Sequence, residues 1–270
     1  MNLFLKVSVA LFFNLLVLLT SVLSCSFVKK EEEGLEDHMI TGSVTSVDSI
    51  AIVEVNIEQE NYNNVDEIKL QLDRKNYKNS LQKMEVEKGR IAAIESAATK
   101  FKKGDSLLYQ CLIQDVFPAW YETPWDFNGI SDVPGEGEIA CGYFVSTTLK
   151  HVGFNLNRYK VAQQAASVII EAICSNDHIN RFGLKEGIID FLSEKENGLY
   201  VVGLDFHVGF LQVENGKVHF IHSDYFNVKV VKELAIESTG FSATNAYVLG
   251  SLTGNRKLIQ KWFNGQRIYK

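Results

Sequence analysis

The sequence predicts an α+β fold in which helices come first and an antiparallel sheet follows. From about Ser80 to Val116, again from Cys141 to Gly153 and over Lys160 to Cys174, apolar residues recur at the spacing of a helix face. From Leu199 onward they fall into short runs bounded by turn residues: Leu199-Tyr200-Val201-Val202, His207-Val208-Gly209-Phe210-Leu211 and Val218-His219-Phe220-Ile221-His222. Asn215-Gly216 separates the last two, and Asn-Gly between apolar runs is the strongest short-range hairpin signal.

With 270 residues, 46% of them hydrophobic and 22% charged, the chain can bury one substantial core. Only 3 prolines and no repeat or Gly/Ser-rich tract argue for one main domain rather than a solenoid or a linker-rich protein. The net charge of -6, with no basic cluster beyond Lys102-Lys103, speaks against nucleic acid as a partner.

The N-terminus differs from the rest. Lys6 precedes a run from Val7 to Leu19 that is apolar except at Ser8 and Asn14, the layout of a secretory signal. The tetrad Val22-Leu23-Ser24-Cys25 resembles the bacterial lipoprotein box, which implies a lipid on Cys25 and a protein held at the cell-envelope membrane. An ordinary signal peptide with an incidental cysteine, or an uncleaved anchor, are the alternatives, and all three place the remainder outside the cytoplasm. The expected boundaries are a signal over 1–25, a charged tether over 26–39, a small β accessory region over 40–78 and the main domain over 79–270. Setting Cys25 aside leaves Cys111, Cys141 and Cys174, an odd number that requires at least one free thiol. No C-x-x-C pair is present, and no metal site is expected.

Along the chain, Val53, Val55 and Ile57, then Ile68, Leu70 and Leu72, alternate with polar residues and predict two strands. Leu108, Cys111, Leu112 and Val116 share a helix face, with a break expected near Gly104 and an end at Pro118. Cys111 reads as a core residue. The ring-rich loop from Trp120 to Gly129 reads as a cleft wall carrying Trp120 and Trp125, or else as cover for a core edge. Cys141 then opens a helix marked by Phe144, Val145, Thr148, Leu149 and Val152. A second helix is expected over Lys160 to Cys174, and Cys174 and His178 at its end are assigned no chemistry. Tyr247-Val248-Leu249 adds a strand, and Leu258, Ile259, Trp262 and Phe263 a closing helix.

A helix N-terminus presents unpaired N–H groups and positive potential, which favour a thiolate and can hold the oxyanion of a tetrahedral intermediate. Cys141 stands at such a place. Its surroundings resemble the NlpC-type cell-wall peptidases, a branch of the papain-like cysteine hydrolases. The matching residues are Trp125 to Gly129, Cys141 with Tyr143-Phe144-Val145, His207-Val208-Gly209-Phe210, and Phe220-Ile221-His222-Ser223, in the family's order. The resemblance covers about Trp120 to Ser223.

It implies a papain-like domain whose N-terminal helices carry the nucleophile against an antiparallel sheet. It also implies Cys141 as nucleophile, His207 as base, a third polar residue, and hydrolysis of amide bonds in peptidoglycan stem peptides without a cofactor. Tyr143 joins Trp120 and Trp125 in the expected substrate cleft. Two departures bear on specificity: the family usually has Asp before the cysteine and Ser after it, where Ala140 and Gly142 stand here.

For the third residue, a two-residue turn at Asn215-Gly216 pairs Gln212 with His219, Gly209 with His222 and His207 with Asp224. His222 and Asp224 then share a face with His207, and His219 takes the other. The resemblance selects His222, with Asp224 as the alternative. Two other functions fit the sequence: a non-catalytic lipoprotein that binds cell-wall fragments, and a papain-like amidase or acyltransferase on another substrate.

Overall fold

The computed structural model describes the backbone of residues 47–269 and the side chains of 65–269. The expected signal, Cys25 and the tether lie outside the described residues. Contacts divide the chain at Val53, and the unit from Glu54 to Lys270 carries the sheet and the site.

The first element is a helix, α1 (Val47–Ala92), where two strands were expected. The alternation at 53–57 and 68–72 is short, and three apolar residues in five positions fit either period. The rest of the segment allows a helix: from Val47 to Lys88 it has no Pro and no Gly, and Glu and Lys are frequent. Tertiary packing then selects one stripe, in which Tyr77, Met84, Lys88 and Ile91 are buried and Leu81 is half-buried, a heptad-like spacing.

Helix α2 (Ala97–Gln110) starts at Ser96, whose hydroxyl accepts from the Thr99 N–H. Gly104 does not break it. A side chain there would collide with the Phe263 ring, so the glycine makes room for the closing helix. The chain continues through a π turn (Cys111–Val116) into α3 (Phe117–Trp120), and Pro118 lies in the first turn of α3. The helical path runs past the proline and ends at Trp120. Leu108, Cys111, Leu112 and Val116 are all buried.

Next come α4 (Cys141–His151), α5 (Arg158–Ala162), α6 (Ala166–Ile173), β1 (Ile179–Phe182) and α7 (Lys185–Ser193). After them follow β2 (Gly198–Gly203), β3 (Val208–Glu214), β4 (Lys217–Asp224), β5 (Lys229–Leu234), α8 (Thr239–Ser242), β6 (Tyr247–Ser251) and α9 (Arg256–Phe263). The single helix expected over Lys160 to Cys174 is two helices with a break at 163–165. Nothing in the run Val161-Ala162-Gln163-Gln164-Ala165-Ala166 discourages a helix, so the break is imposed by packing.

The six strands form one sheet in the order β1-β6-β2-β3-β4-β5, every neighbour antiparallel. The β3–β4 hairpin has the expected register, with Glu214 opposite Lys217 and Gln212 opposite His219. Its turn residues Asn215 and Gly216 have φ of +52° and +76°, both left-handed, the type I′ signature that Asn-Gly tolerates best. Both faces of the sheet are covered. Val201, Phe210 and Ile221 pack against α4 and α6 through Phe144, Val145 and Ile170, whereas Val202, Leu211, Val213 and Phe220 pack against Ile188, Leu192 and Phe241.

Candidate active site

Cys141 begins α4. The two residues before it are clamped by backbone hydrogen bonds: the Ile139 N–H donates to the Pro124 carbonyl and the Ala140 N–H to the Gly129 carbonyl. The Ser223 hydroxyl on β4 donates to the Ile139 carbonyl at 2.6 Å. The chain thus enters the helix on a fixed path that is tied to the sheet.

Ala140 is the N-cap and has no side chain to accept from the first turn. An Asp or Ser there would add about 1 kcal/mol of helix stability. What alanine leaves instead is a set of open N–H groups at the thiol. The Cys141 sulfur faces the N–H groups of Val208, Gly142 and Cys141 itself, and these contacts favour the thiolate. Burial outweighs them, and the thiol is held above its ordinary value. The lowered pKa that a helix start alone would give is therefore not what the resting site has.

Gly142 stands at a position with no room for a side chain. A side chain at this position would collide with the backbone carbonyl of Ala162 at the end of α5, so a serine cannot be placed here without moving that helix. The Gly142, Ala162, Gln164, Ala165 and Ala166 positions then form one wall of a cleft of about 150 Å³. Asp205, Phe206, His207 and Val208 form the other, with Cys141 at the base. The broken helix at 163–165 is what turns these small residues toward the cleft.

His207 precedes β3 and is 5% exposed. Its Nε2 lies 2.8 Å from Nδ1 of His222 on β4. Gly209 permits this approach, because a Cβ there would come within 2.9 Å of the His222 Cβ and 2.7 Å of the Phe220 ring. The His222 imidazole stacks on Phe220, with centroids 3.9 Å apart, and its Nε2 lies 3.1 Å from the Glu233 carboxylate on β5.

Burial, with the neighbouring His222 second, pushes the His207 imidazole well below its ordinary value of 6.5. A thiol pushed up and an imidazole pushed down make the resting pair neutral. The unfolded imidazole takes a proton as pH falls through about 6.5 and the folded one does not, so the unfolded state binds more protons and stability is lost on acidification. Thermal unfolding between neutral and mildly acid pH should therefore show a steeper loss for the wild type than for His207→Gln. Parallel curves would contradict the buried, neutral His207.

The other expected residues are placed as follows. Asp224 is buried, but its carboxylate accepts from the Phe226 and Asn227 N–H groups and from the Asn227 amide, at 2.6 to 3.0 Å. It closes the turn into β5 and does not hold His207. His219 lies across from Gln212, on the opposite face from His222. Trp120 belongs to the core and not to a cleft wall: it is fully buried, and its indole N–H donates to the Tyr77 hydroxyl at 3.0 Å. Trp125 is half-buried against Tyr225 at 6.2 Å between centroids. Tyr143 packs on Tyr159 at 5.8 Å, and its hydroxyl accepts from Gln163, so it supports the Gly142 wall.

Cys111 and Cys174 are buried and free, each pushed up to about 12 by desolvation. Cys141 is also free, but half-buried.

Two residues escaped the sequence reading. Tyr225 stacks edge-on against His207 at 5.5 Å, close enough to Cys141 for a thiolate there to disfavour its own ionisation. Glu233 sits at the far nitrogen of His222. An aromatic after Asp224 and an acid in a Val-rich strand were the signals available. His222, Asp224 and Glu233 bring ligand-type atoms within 4.8 Å of one another, yet the turn donors and His207 already engage two of the three.

No protein family, curated protein or solved structure matches this chain. The site must be read from its own geometry.

Proposed function

We propose that the chain is a papain-like cysteine hydrolase of the NlpC type that cleaves amide bonds in peptidoglycan stem peptides. The observation that carries this reading is a cysteine at an open helix start that shares a cleft with a histidine whose far nitrogen is held by a second histidine. Only one ring nitrogen of His207 is then left for the thiol. The base accepts the Cys141 proton as sulfur attacks the carbonyl, returns it to the leaving amine, and later activates the water that splits the thioester. The N–H groups at the start of α4 are placed to stabilise the oxyanion.

The lack of an acid at position 140 and of space at Gly142 sets this cleft apart from the family's usual recognition of a free amino end. Export and lipidation of Cys25 are part of the proposal. Among the described residues no helix is long and apolar enough to cross a membrane.

The test is incubation of the full chain in detergent with purified peptidoglycan and mass analysis of the products. New amine ends that disappear in Cys141→Ser are the expected result. Retention of intact fragments without cleavage would assign binding instead.

A further inference from the structure

We propose that Glu233 is a positioning residue that sets the proton arrangement of the two histidines, so that the nitrogen of His207 left for the thiol is the bare, proton-accepting one. The inference rests on the reading of Cys141 and His207 as nucleophile and base.

The argument follows the protons inward from β5. A carboxylate can only accept, so at 3.1 Å from Glu233 the Nε2 of His222 must carry hydrogen. A neutral imidazole carries one N–H, which leaves His222 Nδ1 bare. That bare nitrogen lies 2.8 Å from His207 Nε2, so His207 must donate there. His207 then has its hydrogen on Nε2 and a lone pair on Nδ1. Two imidazoles in contact could share a proton in either direction, and only an acceptor at the outer end fixes which. In the reverse arrangement His207 would carry its hydrogen on Nδ1 and could not take the thiol proton.

The placement of Glu233 suits this task. It pairs across the sheet with Phe220 and so lies diagonal to His222 on the same face. Its carboxylate is held below the usual range, first by the hydrogen bond from His222, so it stays an acceptor at neutral pH. Among the described residues it forms no ion pair with Lys or Arg, and the His222 ring is the group that donates to it. The adjacent Lys232 pairs instead with Glu214. The titratable groups around the histidine pair are Glu233 from β5, Asp224 and Tyr225 from the end of β4, and Cys141 and Asp205 in the cleft, the last accepting from Thr244 and Asn245. Asp224 is committed to its turn, so Glu233 is the acceptor that controls the pair.

Two measurements test the assignment without requiring the substrate. Long-range proton–nitrogen NMR of the unmodified full chain in detergent should show both rings protonated on Nε2. A His207 ring protonated on Nδ1 would overturn the proposal. Alkylation of Cys141 by iodoacetamide, in which the S–H proton passes to His207, the S–C bond forms and iodide leaves, should slow about tenfold at neutral pH in Glu233→Leu. The midpoint of its pH profile should also move to the alkaline side. Glu233→Gln keeps an oxygen that accepts from Nε2–H and should recover much of the rate.

A wild-type rate and profile in Glu233→Leu would remove Glu233 from the site. If that variant fails to fold, the spectrum of the unmodified chain decides alone. Rapid alkylation without any amide cleavage would count against the hydrolase reading while leaving the role of Glu233 intact.

Discussion

His207→Gln is expected to slow both the alkylation of Cys141 and any amide cleavage by on the order of 10²–10⁴-fold, the range for loss of a positioned general base. The expectation follows from the neutral resting pair. Because burial holds the Cys141 thiol above its ordinary value, few thiolates exist without a base to take the proton. Glutamine fills most of the space of the imidazole and can still donate to His222, so the fold has little reason to change. Cys111 and Cys174 are buried away from solvent and should stay almost unlabelled in both proteins. Peptide mapping after alkylation gives all three rates at once. A His207→Gln protein that labels at the wild-type rate would mean that Cys141 is activated by its N–H contacts alone, and His207 would no longer be the base.

His222→Ala should lower turnover by roughly tenfold or more, since the partner that orients a catalytic imidazole fixes its tautomer, while His219→Ala should leave turnover nearly intact. The two residues are three apart on β4 and so face opposite sides of the sheet. One touches His207 at 2.8 Å, and the other lies across from Gln212. His222 is fully buried and stacked on Phe220 whereas His219 is half-buried, so a general weakening of β4 has to be measured and not assumed equal. Turnover measured beside thermal stability separates the cases. Greater damage from His219→Ala would mean that the face assignment, and the site built on it, is wrong.

Much of this site was legible because its parts are local. Asn215-Gly216 dictated its turn, the turn dictated the register, and the register put His222 on the face of His207. The start of α4 at Cys141 was legible from the spacing of Phe144, Val145, Thr148 and Leu149. What was hidden depends on distant partners. Glu233 acts only because β5 pairs with β4, and the run Lys229-Val230-Val231-Lys232-Glu233-Leu234 has the mixed charge of any edge strand.

The break at 163–165 leaves no trace among good helix formers; it lies beside the close approach of Gly142 to Ala162, two positions far apart in sequence. Trp120 has the composition of a cleft wall, and only the Tyr77 hydroxyl from α1 shows it to be core. The long helix α1 differs from the expected strands for another reason. Its two short alternations fit a strand locally, whereas the unbroken run without Pro or Gly from Val47 to Lys88 continues as one helix.

The loop before Cys141 is fastened to the far end of the sheet. Glu122 and Trp125 donate backbone N–H groups to Val230 and Val228, and the Val230 N–H donates back to Thr123. Ser223 reaches the Ile139 carbonyl from the neighbouring strand. During synthesis the ribosome delivers the cysteine long before the strand that holds its loop. Contacts so distant in sequence close late in folding. A nascent or unfolded chain therefore carries Cys141 as an ordinary thiol, and the surroundings described for it here, including the proposed pairing with His207, are assembled only when the chain through Leu234 has folded.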